Sequence, residues 1–224
     1  MLKPHDDKYA YLTQLLLNAP THLTSPPAMP CPAPFVIYDD FLTDSDAEEI
    51  LQYAIHSKND YQLTPLSGEK DYDPTVRVTL RISPGFLGLK FKQKMEKLLP
   101  AIFNRLMIDP FVLRKTELKL LAYANGHFFA AHADHRHWNR LISFSYYFYK
   151  QPKAFSGGNL LLYDTDVVKD LKSDHFTSVE CIHNRLVLFP SSYYHEVTPL
   201  QIGQDYFDNC RFALTGHFQA QHPA

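Results

Sequence analysis

The stretch Leu118-Lys-Leu-Leu-Ala-Tyr-Ala-Asn-Gly-His-Phe-Phe-Ala-Ala-His-Ala-Asp134 constrains this chain more than any other. It reads as a strand, a Gly-containing turn and a second strand that ends on His132 and Asp134. Side chains two apart on a strand point to the same face, so an imidazole and a carboxylate at this spacing converge on one cation without backbone contortion. The other His-x-Asp, at His5-Asp6-Asp7, has neither a strand nor a turn before it and reads as solvated surface. Positions 132 and 134 therefore offer two donors of a metal site, and the rest of the fold has to bring a third.

Strand signals dominate from Glu117 onward. Arg140–Tyr149, Gly157–Tyr163, Asn184–Phe189 and Arg211–Phe218 are apolar or β-prone runs separated by Gly, Pro and polar turns. Helical signals come earlier. Phe35–Tyr38 reads as a strand, after which Thr43 and Asp46 cap a helix whose apolar face is Ile50, Leu51, Ala54 and Ile55. His56–Pro74 is a long polar loop. Val76–Ile82 alternates as one half-buried strand, with Val76, Val78, Leu80 and Ile82 inward and Arg77, Thr79 and Arg81 toward solvent. One helix is expected over Leu87–Leu106, burying Phe91, Met95, Leu98, Leu99 and Ile102 with Pro100 late in its course. Without βαβ alternation the pattern predicts a mainly β chain with supporting helices (α+β), an antiparallel sandwich or open barrel. Residues 1–34 read as an arm, a short helix over Lys8–Asn18 followed by five prolines in the ten residues Ser25–Pro34, and residues 35–224 as the main domain.

Charge narrows the partners. With 22 Lys and Arg against 24 Asp and Glu, the chain offers no electrostatic footprint for nucleic acid or an anionic membrane. No apolar run approaches the roughly 18 residues of a membrane span, and Met-Leu-Lys-Pro-His-Asp-Asp lacks the order of a secretory signal, so a cytoplasmic protein is expected. Cys31, Cys181 and Cys210 are expected as reduced, buried thiols. The Tyr-rich run 146–149 is expected in the core, His135 and His137 at the surface or behind the ligands, and Trp138 and Asn139 either at a cavity mouth or capping the core.

The best third donor is His195, which follows a buried strand and a turn in Phe189-Pro-Ser-Ser-Tyr-Tyr-His-Glu-Val197. Two imidazoles and one carboxylate on one face of an octahedron leave positions open, which suits a non-haem Fe(II) better than a closed structural zinc.

At this point the chain resembles the Fe(II)- and 2-oxoglutarate-dependent oxygenases, in particular their prolyl 4-hydroxylase-like branch. The resemblance rests on four pieces in order: Tyr123-Ala-Asn-Gly126 leading to His132-Ala-Asp134; Arg140 and Ser143-Phe-Ser-Tyr-Tyr-Phe-Tyr with Ser156-Gly-Gly-Asn-Leu160; Leu188–Val197; and Arg211-Phe-Ala-Leu-Thr-Gly-His-Phe218. With Phe35–Leu42 it spans about residues 35–219. It implies a double-stranded β-helix (jelly-roll, cupin-like) core flanked by N-terminal helices. It further implies iron ligands His132, Asp134 and His195, and Arg211 with Tyr123 on the distal carboxylate of 2-oxoglutarate. Fe(II), 2-oxoglutarate and O₂ are the implied cofactors, with ascorbate in support. The implied reaction is hydroxylation, on a prolyl residue of a protein or peptide, or alternatively on a free amino acid or other small molecule; a catalytically silent binding module is the non-enzymatic alternative. Two departures stand out: Arg211 lies 16 residues after His195, longer than is typical, with the extra residues in Gln201–Cys210 expected as a hairpin extension, and His217 occupies a place where an aromatic, often Trp, is common.

Overall fold

The computed structural model describes residues 30–66, 72–135, 139–204 and 206–221. The helix read over residues 8–18 and most of the Pro-rich arm lie outside these. At the arm's described end, the backbone of Cys31 exchanges hydrogen bonds with Thr165 at 3.2 and 3.0 Å. Cys31 is exposed there, against expectation, whereas Cys181 and Cys210 are buried free thiols.

Strand β1 (Val36–Tyr38) leads into helix α1 (Asp44–His56), whose N-cap Thr43 accepts a hydrogen bond from the Asp46 backbone N–H at 3.2 Å. The loop after α1 carries a short strand, β2 (Gln62–Leu63). The alternating stretch that follows is two strands, not one. β3 (Arg77–Val78) pairs with β6 (Phe128–His132), whereas β4 (Leu80–Ile82) pairs with β5 (Leu113–Tyr123) in a different sheet. Its faces are also reversed: Arg77 and Thr79 are buried and the aliphatic side chains only half-buried. The segment crosses from one sheet to the other with its polar side turned to the interior, where Thr79 Oγ1 accepts from Arg77 Nε at 3.1 Å and donates to Thr64 Oγ1 at 2.8 Å.

The single helix read over 87–106 is also two. Helix α2 (Gly85–Glu96) ends at Lys97, and α3 (Leu99–Leu106) begins with Pro100 in its first turn. A proline there sacrifices no hydrogen bond, so it starts a helix where it would have broken the middle of one.

The remaining strands are β7 (Arg140–Phe148), β8 (Phe155–Gly157), β9 (Leu160–Asp166), β10 (Leu171–Val179), β11 (Arg185–Pro190), β12 (His195–Val197), β13 (Leu200–Ile202) and β14 (Arg211–Ala220). They form a seven-stranded sheet in the order β1-β11-β7-β14-β5-β4-β2, a five-stranded sheet β10-β9-β12-β6-β3, and the pair β13-β8. All ladders are antiparallel. This is the mainly β, helix-supported architecture that the sequence pattern predicts. β10 escapes the sequence reading because eight of its nine side chains are not buried, leaving no apolar alternation to see. The expected strand over 157–163 divides at Gly158, β8 and β9 going to different sheets.

Parity along the central strands separates core from site. On β7 and β14, Phe144, Tyr146, Phe148, Phe212, Leu214 and Phe218 share one face, and Phe91 of α2 packs on it at 5.2 Å from Tyr146 and 6.3 Å from Phe144. Burying each such aromatic stabilises the fold by about 1.5–3 kcal/mol. The opposite parity, Ser143, Ser145 and Tyr147 on β7 with Arg211, Thr215 and His217 on β14, is polar and turns toward the smaller sheet.

Candidate active site

β6 ends on His132 and β12 begins on His195, and these residues are directly paired across the ladder. Opposed residues of an antiparallel pair project to the same side, so the two imidazoles come together with ring centroids 4.2 Å apart. Asp134 follows two residues after His132, its backbone N–H bonded to the Ser191 carbonyl at 2.9 Å. Its carboxylate stands 3.9 Å from His132 Nε2 through Oδ1 and 3.3 Å from His195 Nε2 through Oδ2. One donor atom from each of the three lies within 4.8 Å of the others.

The second nitrogen of each ring fixes its tautomer. His132 Nδ1 lies 2.9 Å from the Ala130 carbonyl and His195 Nδ1 lies 3.1 Å from the Tyr193 carbonyl. Carbonyls only accept, so Nδ1 carries the proton and the Nε2 lone pair is free for a cation. Burial, then the neighbouring His195, pushes the His132 pKa down to about 3, which keeps it neutral. Burial alone would raise the Asp134 carboxyl, but its interactions with His217, His195 and His132 outweigh it and hold the group well below the usual carboxylate range. Two imidazoles with Nε2 turned inward and an anionic carboxylate, pre-aimed at one point, fit a divalent metal.

Asp134 is held from the larger sheet. Ser143 Oγ donates to its Oδ2 at 2.8 Å, His217 Nδ1 sits 3.5 Å from the same oxygen, and Arg140 Nη1 lies 3.7 Å from Oδ1. Arg140 is anchored in turn by Glu117 at 2.8 and 3.0 Å. His217, notable in the sequence only as a departure, is thus part of the carboxylate's support.

These donors line a cavity of about 470 Å³ to which both sheets contribute, Tyr123 among them. Arg211 is paired with Tyr123 across β14 and β5, and its guanidinium packs on the rings of Tyr123 at 3.9 Å and Tyr147 at 5.1 Å. Arg211 Nη1 donates to the Gly158 carbonyl at 3.0 Å, while its Nε and the Tyr147 hydroxyl are buried without a hydrogen-bond partner. Burial pushes the Tyr147 pKa up to about 12, so the hydroxyl remains a donor. A guanidinium and a phenol left short of acceptors in a buried corner fit a carboxylate. The 15 residues between His195 and Arg211 hold no hairpin of their own among the described residues: β13 pairs with β8, and a short 3₁₀ turn, Phe207–Asn209, packs Phe207 on Tyr61 at 5.3 Å and Phe212 at 5.6 Å before β14 starts.

Arg77, expected in solvent, is 6% exposed and lines the cavity, as does Lys119. Parity groups Lys119 with Tyr123, four residues on along the same strand face, and Arg77 with Thr79, but which way each face turns is visible only in the fold. Tyr146, Tyr147 and Tyr149 are buried as expected. His135 is half-buried beside Asp170 at 3.9 Å, and His137 and Trp138 lie outside the described residues.

The family model of the 2OG-Fe(II) oxygenase superfamily matches residues 118–219, the segment from β5 through β14 that carries all of these donors. An uncharacterized PKHD-type hydroxylase of Synechocystis sp. is 28% identical over 207 residues, which cover 90% of this chain and 68% of that protein. Among solved structures, a Pseudomonas putida prolyl-4-hydroxylase superposes with a TM-score of 0.61 at 23% identity, covering 85% of this chain and 94% of that one. A Trichoplax adhaerens prolyl hydroxylase in complex with a hypoxia inducible factor peptide fragment superposes with a TM-score of 0.65 at 19% identity, covering 84% of each chain. The fold is therefore the double-stranded β-helix of the prolyl 4-hydroxylases. Residues 118–219 thus match the 2OG-Fe(II) oxygenase superfamily, and the chain is similar to its prolyl 4-hydroxylase-like branch, whose dioxygenases use Fe(II), 2-oxoglutarate and O₂.

Proposed function

We infer that the protein hydroxylates a prolyl residue in a peptide or protein, converting 2-oxoglutarate to succinate and CO₂ as one atom of O₂ enters the substrate. The observation that carries this reading is the convergence of His132, Asp134 and His195 within 4.8 Å at the wall of a cavity of about 470 Å³. That volume admits a cosubstrate and one substrate side chain. The peptide-bound neighbour among the matched structures favours an extended chain as substrate.

In this mechanism His132, Asp134 and His195 would hold the iron, three donors that leave coordination positions for ligand exchange. Iron, when bound, supplies the activation of O₂ and the oxidising power for the C–H bond. Ser143, His217 and Arg140 keep the Asp134 carboxylate in one rotamer, so that it offers a fixed oxygen to the metal. Arg211 and Tyr147 take the distal carboxylate of 2-oxoglutarate, and Tyr123 walls that corner. The buried phenol and guanidinium exclude water from the cosubstrate while fixing its direction.

Succinate release in the presence of Fe(II), 2-oxoglutarate and ascorbate, with proline-containing peptides set against free amino acids, tests the assignment. Turnover above the uncoupled rate with a peptide, and loss of it when the proline is replaced, is the expected result. Coupled turnover with free proline or another small molecule and with no peptide would overturn it.

A further inference from the structure

We propose that Arg77 and Lys119 form a carboxylate clamp inside the cavity, which seats an acidic group of the substrate beside the carbon to be oxidised. The clamp rests on the oxygenase reading for what enters the cavity; the charge preference itself rests on these two side chains.

Arg77 is buried and held rigidly. Its Nε donates to Thr79 Oγ1 at 3.1 Å, and its guanidinium lies 4.3 Å from the centre of the Phe129 ring, which itself stacks on the ligand His132 at 3.6 Å. Cation, ring and ligand imidazole thus form one column that places the guanidinium beside the metal position. Lys119 comes from the other sheet, paired across β5 and β14 with Thr215, and it too lines the cavity. The two are close enough that, after burial, the Arg77 charge is the largest influence lowering the Lys119 ammonium pKa.

Neither has an acid of its own. Among the described residues no carboxylate lies within 4.0 Å of either cation, and the adjacent Glu117 is already bound to Arg140 at 2.8 Å. The other acid that faces them is Asp134, and its charge is cancelled once it ligates Fe(II). Two neighbouring cations, removed from water and left with a net positive field, are a costly arrangement unless an anion completes it.

The cosubstrate does not supply that anion. Its distal carboxylate is taken, in this reading, by Arg211 and Tyr147; Arg77 reaches toward Tyr123 between the two ends, whereas Lys119 pairs with Thr215, four residues from Arg211 along β14 and about 13 Å away at the rise of a strand. A molecule extending from the metal toward Arg211 therefore leaves the Lys119 end of the cavity open. An acidic residue next to the target proline fills it with two charge-assisted hydrogen-bond partners.

The test is anaerobic calorimetry on the Fe(II)- and 2-oxoglutarate-loaded protein with blocked peptides built on Ala-Ala-Xaa-Pro-Zaa-Ala, in which Xaa or Zaa is Glu or Gln. Free proline and its uncharged amide form a second arm, and Pro is replaced by Ala in a third. A Glu peptide is expected to bind about tenfold more tightly than its Gln counterpart. That preference should vanish in Lys119→Met and Arg77→Gln and return in Lys119→Arg, while the visible titration of 2-oxoglutarate is unchanged in all three. If the carboxylate preference appears with free proline against its amide and with no peptide, or survives Pro to Ala, the clamp stands and the prolyl-peptide reading falls. The clamp is overturned if wild type shows no carboxylate preference in any arm, if the preference persists in Lys119→Met and Arg77→Gln, or if those variants lose 2-oxoglutarate affinity instead.

Discussion

At the scale of the residue, the site is two histidines whose protons are fixed on one nitrogen and an aspartate held by three partners. Asp134→Ala removes the only anionic donor of the set and should abolish Fe(II)-dependent turnover, with no visible band on adding 2-oxoglutarate. His217→Ala removes one support of the carboxylate and should weaken iron binding about 10–100-fold while leaving the fold intact, read by metal titration and thermal melting. Protonation points the same way. His132 and His217, with pKa values pushed down to about 3 and 4 chiefly by burial, resist protonation in the folded state, whereas the unfolded chain takes up protons below about pH 6.5. The unfolded state then binds more protons, so the stability of metal-free protein should fall as pH drops from 6.5 toward 4, by about 1.4 kcal/mol per unit for each histidine. Asp134, also shifted downward, adds a loss only below the ordinary carboxylate range. Denaturant midpoints at pH 7 and pH 5 measure this, and a flat profile would contradict the buried neutral histidines.

At the scale of the element, what was legible depended on which periodicity survived burial. The spacing of His132 and Asp134, the Thr43 cap and the β7 and β14 runs were readable because local chemistry and final environment agree. Arg77 was misread because its strand turns its polar side to a cavity, which reverses the usual rule. β10 was invisible because it is an edge strand with almost no buried side chain. The α2–α3 break was hidden since Pro100 fits a first turn as readily as it breaks a helix. The β8–β9 turn carries its own prediction. Gly158 has φ +68°, and a Cβ there would lie 2.5 Å from Leu200 Cδ1 and 3.4 Å from Arg211 Cδ. Gly158→Ala should therefore displace Arg211 and raise the KM for 2-oxoglutarate severalfold, with iron affinity little changed. In α2, Phe91→Ala leaves a hole under Tyr146 and Phe144 and should cost about 3–5 kcal/mol of stability without touching the metal site.

At the scale of the whole molecule, helices cover one face of the larger sheet while its other face and the smaller sheet enclose the cavity. Metal donors come from the smaller sheet, and Arg211, Lys119 and the groups that hold Asp134 come from the larger. The order of motifs along the sequence makes that division of labour visible, because each donor lies at or just beyond the end of a strand; the cations that shape the rest of the cavity are not visible, because their role follows from which way a strand faces. Anaerobic titration of the protein with Fe(II) and then 2-oxoglutarate, followed by visible absorption, tests the three-ligand centre most directly. The account predicts one iron per chain, with a weak charge-transfer band that appears only on adding 2-oxoglutarate and is lost in His195→Ala. Well-folded wild-type protein that gives no such band, or a band that persists unchanged in His195→Ala, would contradict it.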